Sequence, residues 1–303
     1  MGRLSILIFH RVLPATDPLL PDVPDAVEFE RLLHWIKSWF NVVPLVDAIT
    51  QLREGRLPER AVAITFDDGY SDNYDVALPL LVQNGMSATF FIATGYLDGG
   101  LMWNDAIIEG VCLSRGPRLE LGELGFGVHD VTTIAARRLT ASTLISQVKY
   151  LAPEERSSTA RSIANMAEVP MPHNLMMSSL NLRSMRKMGM AIGAHTVWHP
   201  ILAKLDTHEA REEISASKRM LEGILQEPVK LFAYPNGKPG DDYLPVHTRM
   251  VRELAFDAAV STSPGVADAG TDVMQLPRFT PWDRTRPRFG LRLAANLRNV
   301  VHH

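Results

Sequence analysis

Short apolar runs that end beside a polar residue recur along this chain, and segments with helical hydrophobic spacing lie between most of them. Such runs are typical of buried strands in a parallel sheet. The predicted strands are Leu4–Phe9, Ala61–Phe66, Ala88–Ala93, Ala191–Ala194, Leu231–Tyr234, Ala258–Val260 and Val273–Leu276. Glu28–Phe40 and Thr207–Gln226 each place apolar residues on one face, which predicts helices. The alternation predicts an α/β fold, either a barrel or a doubly wound sheet.

One segment, Leu97–Asn181, breaks the alternation because it has helical patterns and loops but little strand character. Strand-like runs resume after it, so the simplest interpretation is an insertion within one domain. We therefore predict a single domain over residues 1–303, with a helical insertion at about 97–181. Before the insertion, a helix is predicted to begin near Tyr74 and to end at Gly85.

Composition excludes several classes of protein. A formal net charge of -3 offers no global electrostatic reason to bind nucleic acid. The single cysteine, Cys112, excludes an intramolecular disulfide framework and a multi-cysteine metal cluster, so a metal site would need His, Asp or Glu. The apolar run Leu4–Phe9 is too short for the core of a secretory signal, and no stretch approaches the length of a membrane span. These observations predict a cytoplasmic protein.

Residues with catalytic or metal-binding chemistry follow several of the predicted strands. In α/β folds the working residues gather at the carboxyl ends of the strands. The residues found there are His10, Asp67, Asp68, His195, His199, Tyr234, Pro235 and Arg278. Carboxylates, imidazoles and an arginine are therefore predicted to converge on one rim of the fold.

The two histidines of this set have a spacing that allows them to share a metal. His195 and His199 are four residues apart, but Pro200 disfavours helical geometry at His199, which predicts a strand-to-loop turn. Two imidazoles and one carboxylate leave open positions for water and substrate, as in catalytic zinc sites. Taken singly, an Asp-Asp-Gly turn and two histidines are more often ordinary surface features. Their joint position at strand ends favours a site.

Two motifs resemble those of the polysaccharide deacetylases, also called carbohydrate esterase family 4 or the NodB-homology group. Residues 65–69, Thr-Phe-Asp-Asp-Gly, resemble the first motif, and residues 195–200, His-Thr-Val-Trp-His-Pro, resemble the second. The resemblance implies a distorted (β/α) barrel of about seven parallel strands, a divalent metal, and hydrolysis of N-acetyl groups from a sugar or polysaccharide. It implies that Asp67 is the general base. The metal ligands that it implies are Asp68, His195 and His199.

Three weaker matches are similar to the branch of this family that acts on exopolysaccharides. Phe232–Gly237 resembles the third motif, which implies that the Tyr234 backbone N–H helps to bind the oxyanion. Leu276–Arg278 resembles the fourth motif, whose arginine orients the base, and Ile8–Arg11 also resembles that branch. Zinc is the expected metal, with cobalt, nickel and manganese as alternatives.

One family feature is missing, and its absence shapes the remaining predictions. Nothing after Arg278 clearly matches the family's final Leu-x-Leu-x-His motif, so we predict that His10 is the general acid. An aromatic ring can stack on a sugar, and a carboxylate can bind the sugar's hydroxyls. For Trp103 an equally good alternative is that its side chain anchors the insertion to the barrel. The predicted substrate-binding residues are Trp103, Asp105, Pro235 and Trp282.

Two other functions stay open at this point. Related barrels open cyclic amides or hydrolyse other C–N bonds, so the substrate class can differ on the same fold. The incomplete last motif also allows a non-catalytic carbohydrate-binding protein with a decayed site. For the deacetylase the predicted partner is its N-acetylated carbohydrate substrate, and for the non-catalytic protein it is the carbohydrate that it binds.

The C-terminal tail, at about 284–303, is basic. Residues 278–303 contain six arginines and one acid, a charge of +5, so the remainder carries -8 of the total of -3. Its apolar residues recur at near-helical spacing, which allows peripheral contact with an anionic membrane or a lipid-linked sugar. The alternative is a last helix packed on the barrel with a solvated basic edge. The apolar residues are Phe289, Leu293, Leu297 and Val300.

Overall fold

The computed structural model describes residues 2–167, 170–281 and 283–301. They fall into two compact units. The first comprises Met1–Ala15, Asp22–Asp98 and Met177–His303, and the second comprises Thr16–Pro21 and Gly99–Met176. Most of the second unit is the predicted insertion. A single domain over the whole chain stays a prediction.

A mostly parallel, curled sheet forms the centre of the first unit. In chain order the strands of the described residues are β1 Leu4–Phe9, β2 Asn41–Val42, β3 Ala61–Phe66, β4 Thr89–Ile92, β5 Arg118–Leu121, β6 Gly127–Asp130, β7 Ala191–Ala194, β8 Leu231–Ala233 and β9 Ala258–Val260. The sheet has the strand order β1-β3-β4-β7-β8-β9, and β2 pairs with the beginning of β3. The strand predictions for β1, β3, β7 and β9 are confirmed residue for residue.

Strands β1 and β3 show why the apolar runs predict the sheet so well. All residues of both strands are buried, and they pair in parallel from Leu4 with Ala61 to Phe9 with Phe66. Alternate residues belong to two different apolar clusters. Phe9 and Phe66 lie in the larger cluster, which includes buried residues of most helices around the sheet, whereas Leu4 and Ala61 lie in a smaller cluster with buried residues of the helix that follows β2. A strand buried on both faces reads as a continuous apolar run.

The helices surround this sheet or belong to the second unit. In chain order they are α1 Ala26–Trp39, α2 Leu45–Arg53, α3 Leu78–Asn84, α4 Trp103–Leu113, α5 Ile134–Val148, α6 Pro153–Met166, α7 Ser179–Lys187, α8 Thr207–Leu225, α9 Pro245–Glu253 and α10 Arg286–Asn296. Helices α1 and α8 confirm two predicted helices, and the side chains of Asp25 and Asp206 cap them. Gly85 ends α3 in the left-handed region, with φ 67°, as predicted.

The prediction of a strand at Val273–Leu276 is wrong. Val273–Gln275 forms a short 3-10 turn, and the Asp272 carboxylate accepts a hydrogen bond from the Met274 N–H at 3.0 Å. Only a single parallel bridge joins Leu276 to Val260 of β9. A capping aspartate before the apolar run favours a turn over an extended strand.

The residues that follow this turn, 276–279, are here called the closing segment. Pro277 has no N–H and interrupts any longer ladder. The Leu276 N–H donates to Ala259 O at 2.9 Å, and the Phe279 N–H donates to Ile6 O at 2.8 Å. The closing segment thus links β9 to β1, and the sheet is completed as a distorted (β/α) barrel.

The second unit contains a strand pair that the sequence analysis missed. Strands β5 and β6 form an antiparallel hairpin, with Arg118 opposite Asp130 and Leu121 opposite Gly127. In β5 only alternate residues are buried, so its apolar character is divided by charged residues and the run is short. This pattern is a weak signal beside the helices of the unit.

Helix α10 packs its apolar face into the first unit. Phe289 and Leu293 are buried, and the Phe289 ring stacks on Trp39 with centroids 5.8 Å apart. Arg288 and Arg292 both pair with Asp283. The alternative of a last helix packed on the barrel therefore describes this segment. Among the described residues, no helix has the length and apolar character needed to cross a membrane.

Candidate active site

A left-handed turn after β3 aims two adjacent carboxylates at different partners. The Asp67 N–H continues the sheet by donating to Phe9 O at 3.0 Å. The next two residues, Asp68 and Gly69, have φ values of 76° and 95°. Aspartate tolerates this region better than most residues, and glycine adopts it freely. In a straight strand the two side chains would point to opposite faces, whereas this turn leaves both carboxylates near His195, with Asp67 Oδ2 at 4.0 Å and Asp68 Oδ1 at 3.5 Å from its Nε2.

Asp67 forms a buried, bidentate ion pair with Arg278 of the closing segment. Arg278 Nη1 and Nη2 each lie 2.7 Å from one oxygen of the Asp67 carboxylate. The guanidinium also donates to Ser261 O at 2.8 Å and to Thr65 Oγ1 at 3.3 Å, and its side chain is 0% exposed. Burial alone would raise the pKa of Asp67, but the charge and hydrogen bonds of Arg278, together with the nearby imidazoles of His195 and His10, outweigh it and hold that pKa below the ordinary value. Asp67 is thereby kept ionised.

Asp68 lies between the two histidines. Its Oδ1 is 3.5 Å from His195 Nε2 and 3.4 Å from His199 Nε2, and the potential ligand atoms of the three residues lie within 4.8 Å of one another. At these distances Asp68 Oδ1 is buried without a hydrogen bond from any residue that the structure describes. Burial would raise the pKa of Asp68, but the imidazoles of His195, His199 and His10 together outweigh it and hold that pKa well below the ordinary value.

The histidines are presented in a way that suits a metal. His195 Nδ1 lies 2.7 Å from Ala233 O, and because a carbonyl only accepts, this contact places the ring proton on Nδ1 and leaves Nε2 as a ligand. The buried carboxylate oxygen of Asp68, which lacks a hydrogen bond, and the facing Nε2 atoms match the donor set of a divalent metal. The predicted strand-to-loop turn is confirmed, since Thr196 and His199 have φ values of 63° and 50°.

His10 lies at the rim of the same site. It follows β1 directly and is exposed, and its backbone O accepts a hydrogen bond from Asn73 Nδ2 at 2.8 Å. The charged form of His10 lowers the pKa of both Asp67 and Asp68, so its imidazole lies within electrostatic reach of both carboxylates. The structure thus brings His10 to the site, whereas its role as general acid stays a prediction.

The backbone N–H of Tyr234 is engaged in the sheet. It donates to Val260 O at 3.2 Å, while the Tyr234 hydroxyl donates to Met274 O at 3.0 Å. This arrangement is at odds with the predicted oxyanion role of the Tyr234 N–H, because the donor already has an acceptor. Pro235 has no N–H, so the next donor in the turn is Asn236, with φ 58°. Its N–H has no acceptor in the described parts of the chain.

The predicted substrate-binding residues have different outcomes. Trp103 and Asp105 are buried in the second unit, and the Arg156 guanidinium covers the Trp103 ring at 5.1 Å. Such burial argues against a sugar-stacking role for Trp103 and against hydroxyl binding by Asp105. Pro235 is buried in the turn after β8, and its contact with substrate stays a prediction. Trp282 lies outside the described residues.

An exposed tryptophan lies between the two histidines of the candidate metal site. The Trp198 side chain is 52% exposed, and its ring packs so closely on Gly95 that a Cβ there would come within 2.6 Å of it. The Tyr96 ring meets it edge to face, with centroids 5.4 Å apart. The candidate site therefore carries a fixed, exposed aromatic side chain beside its possible metal ligands.

Comparison with known proteins agrees with this geometry. The sequence model of the family described as Polysaccharide deacetylase matches residues 54–111 and 158–255, more than half of the chain. The YxkH protein of Bacillus subtilis (strain 168) is 22% identical over 284 residues, which cover 92% of this chain and 72% of that protein. The poly-beta-1,6-N-acetyl-D-glucosamine N-deacetylase of Staphylococcus aureus (strain N315) is 25% identical over 170 residues, 55% of this chain and 58% of that enzyme.

Solved structures show the same fold. IcaB from Ammonifex degensii superposes with a TM-score of 0.62 at 18% identity, covering 98% of both chains. The Streptococcus pyogenes deacetylase PplD superposes with a TM-score of 0.61 at 19% identity, covering 92% of both chains. With the family match, the barrel, and the Asp67, Asp68, His195 and His199 arrangement in place, this chain belongs to the polysaccharide deacetylase family.

Proposed function

We propose that this protein is a metal-dependent hydrolase that removes N-acetyl groups from an N-acetylated polysaccharide. The observation that carries the proposal is the pairing of an ionised, buried Asp67 with Arg278 directly beside the donor set of Asp68, His195 and His199. The Staphylococcus aureus relative is named for N-deacetylation of poly-beta-1,6-N-acetyl-D-glucosamine, which supports this substrate class.

The chain's own residues supply most of what amide hydrolysis needs. An acetamide requires an activated water, a stabilised oxyanion and a proton for the departing amine. A divalent metal bound by Asp68, His195 and His199 would supply Lewis-acid polarisation of water and of the acetyl carbonyl. Asp67 is adjacent to these ligands but makes its short contacts with Arg278, so its carboxylate can accept the proton of the attacking water.

The oxyanion needs a backbone donor that is free to turn toward it. We assign this role to the Asn236 N–H in place of the Tyr234 N–H, because the latter donates to Val260 O. The assignment keeps the donor in the turn after β8, next to the strand whose Ala233 O fixes the His195 ring. A donor aimed at developing negative charge is among the strongest contributions to catalysis.

The proton for the leaving amine is assigned to His10. If the assignment is correct, His10→Ala lowers turnover by about 100-fold, the lower end of the usual contribution of an acid–base group, while bound metal per protein is unchanged. Acetate release and metal content measured on the same samples test it. His34→Ala, which removes another exposed histidine from the same unit, is the matched control. Unchanged turnover in His10→Ala would contradict the assignment of His10 as the general acid.

Zinc is the proposed metal, because two imidazoles and one carboxylate form a common catalytic zinc donor set. Cobalt, nickel and manganese are the alternatives, since the same nitrogen and oxygen donors accept them.

A cytoplasmic location stays a prediction. Contact of the basic tail with a membrane or a lipid-linked sugar would have to rely on its arginines, because Phe289 and Leu293 of the apolar face are buried.

The proposed function is tested by acetate release from N-acetylated mono-, oligo- and polysaccharides. We expect release that stops with a chelator and returns when zinc is added. His199→Gln should remain inactive after the same addition, because one of its three ligands has changed. Release that persists in chelator would refute metal dependence. Ring opening of a cyclic amide without acetate release would favour the alternative hydrolase, and sugar binding without turnover would favour the decayed site.

A further inference from the structure

The loop that carries the second metal-binding histidine has an unusual backbone. Thr196 and His199 both adopt left-handed φ values, of 63° and 50°, and neither is a glycine. Such conformations are strained and persist only where surrounding contacts over-determine them. The position of the His199 ring therefore depends on whatever holds this loop.

The loop carbonyls are held by the segment after β4. Thr94, Gly95 and Tyr96 provide the donors, two of them backbone N–H groups and the third a phenol hydroxyl. The contacts are Thr94 N to Thr196 O at 3.1 Å, Gly95 N to Val197 O at 2.8 Å, and Tyr96 Oη to Trp198 O at 3.1 Å. These bonds fix one side of the loop.

The loop N–H groups are held from the other side by a carboxylate on α8. Glu213 Oε2 accepts hydrogen bonds from the N–H of Val197 at 2.8 Å and from the N–H of Trp198 at 2.9 Å. The N–H of His199 donates to Thr196 Oγ1 at 3.1 Å within the loop. Glu213 is the charged acceptor of this set, and hydrogen bonds to a charged acceptor are about twice as strong as neutral ones.

We propose that Glu213 is a positioning residue for the metal site, acting through the backbone of residues 197–198 to keep His199 beside Asp68. The inference rests on the proposed function only in that Asp68, His195 and His199 bind a metal. His195 comes one residue after β7 and Asp68 two residues after β3, so their positions are set by the sheet and by the turn after β3. His199 lies five residues beyond the end of β7, and Glu213 holds the backbone that connects it to the strand.

The consequence is measurable as metal affinity. Without the carboxylate, the two N–H groups lose their acceptor, the strained loop relaxes, and His199 spends less time at the ligand position. Loss of an outer partner of a metal ligand typically weakens metal binding by about 10- to 100-fold. We expect Glu213→Ala to weaken zinc binding by about tenfold or more. Glu213→Gln, which keeps an amide oxygen as acceptor, should recover part of this loss.

The experiment measures the zinc dissociation constant by competition with a chromophoric chelator, in wild type, Glu213→Ala and Glu213→Gln. The visible spectrum of the cobalt-loaded proteins reports the coordination geometry independently of activity. Glu212→Ala is the matched control, because Glu212 is the preceding residue on α8 and pairs with Arg219 at 3.1 Å on the exposed surface. The control should keep the wild-type affinity and spectrum.

Wild-type affinity and an unchanged cobalt spectrum in Glu213→Ala would overturn the inference while leaving the proposed function intact. If Glu213→Ala does not fold, Glu213→Gln decides: weakened zinc binding supports the inference, and wild-type binding overturns it. A wild-type protein that binds neither zinc nor cobalt overturns the metal site as well. The two failures are therefore distinguishable.

Discussion

Replacing Asp67 with asparagine is expected to lower acetate release by about 10²- to 10⁴-fold, the usual contribution of a general base. The amide cannot accept the proton from the attacking water, yet it has nearly the same shape and keeps one oxygen for the Arg278 guanidinium. Zinc binding should persist, because the three donors that cluster are Asp68, His195 and His199. Parallel measurements of kcat and of zinc per protein separate loss of the base from loss of the metal.

The matched control for this experiment is Asp47→Asn, an exposed aspartate on α2 of the same unit. It should keep wild-type activity and zinc content. Asp67→Asn protein that retains most of its activity would exclude Asp67 as the base. Loss of zinc together with activity would instead indicate that Asp67 holds the metal.

Replacing Arg278 with leucine is expected to lower the free energy of unfolding by about 3–5 kcal/mol, the usual effect of removing one partner of a buried ion pair. It leaves the Asp67 carboxylate buried without its bidentate partner, and it removes the donor to Ser261 O. Because Asp67 then loses the strongest of the charges that lower its pKa while it stays buried, its pKa rises, and turnover is expected to fall as the pH is lowered. Urea unfolding and the pH profile of kcat measure the two effects.

The sign of the pH dependence follows from the lowered pKa of Asp67. A carboxyl group with a lowered pKa in the folded state contributes its stability above its unfolded pKa of about 3.9, and the contribution is lost as the pH falls through the folded value. The stability difference between wild type and Arg278→Leu should therefore be largest near neutral pH and shrink below about pH 4. The acid limb of the activity profile should move to higher pH.

Arg288→Leu provides the control for this variant. Arg288 also pairs with an aspartate, Asp283, at 3.2 Å, but its side chain is 78% exposed. An exposed pair contributes about 0–1 kcal/mol, so this variant should unfold close to wild type. Equal destabilisation by Arg278→Leu and Arg288→Leu would contradict the importance assigned to the buried pair.

The parts of the site that could be predicted are those that follow a strand directly. Asp67 and Asp68 come one and two residues after β3, and His195 comes one residue after β7, so predicting those strands also placed these side chains. Buried parallel strands leave a continuous apolar run in the sequence, which is why their ends were predicted well. His199 lies farther from its strand, so its prediction depends also on its spacing from His195 and on the motif that contains both histidines.

Other parts depend on contacts between distant elements and left no local pattern. Arg278 contacts Asp67 although the strand expected before it is a 3-10 turn, and it is its motif and its order in the chain that single it out in the sequence. Glu213 and Ser261 contact the site from α8 and from the end of β9, and neither lies in a motif. The engagement of the Tyr234 N–H with Val260 also required the sheet register.

The closing segment has a consequence for the order in which the site can be assembled. Asp67 and Arg278 are separated by 211 residues, and Arg278 is held where a few single bridges span the gap between β9 and β1. During synthesis from the N-terminus, Asp67 is therefore present long before its counter-charge, whereas Asp68, His195 and His199, together with Glu213 and Ala233 that hold their loop and ring, have all emerged by residue 233. The proposed metal site can therefore be assembled before the proposed base gains its counter-charge, and cleavage before residue 276 would separate Arg278 from the fragment that carries Asp68, His195 and His199.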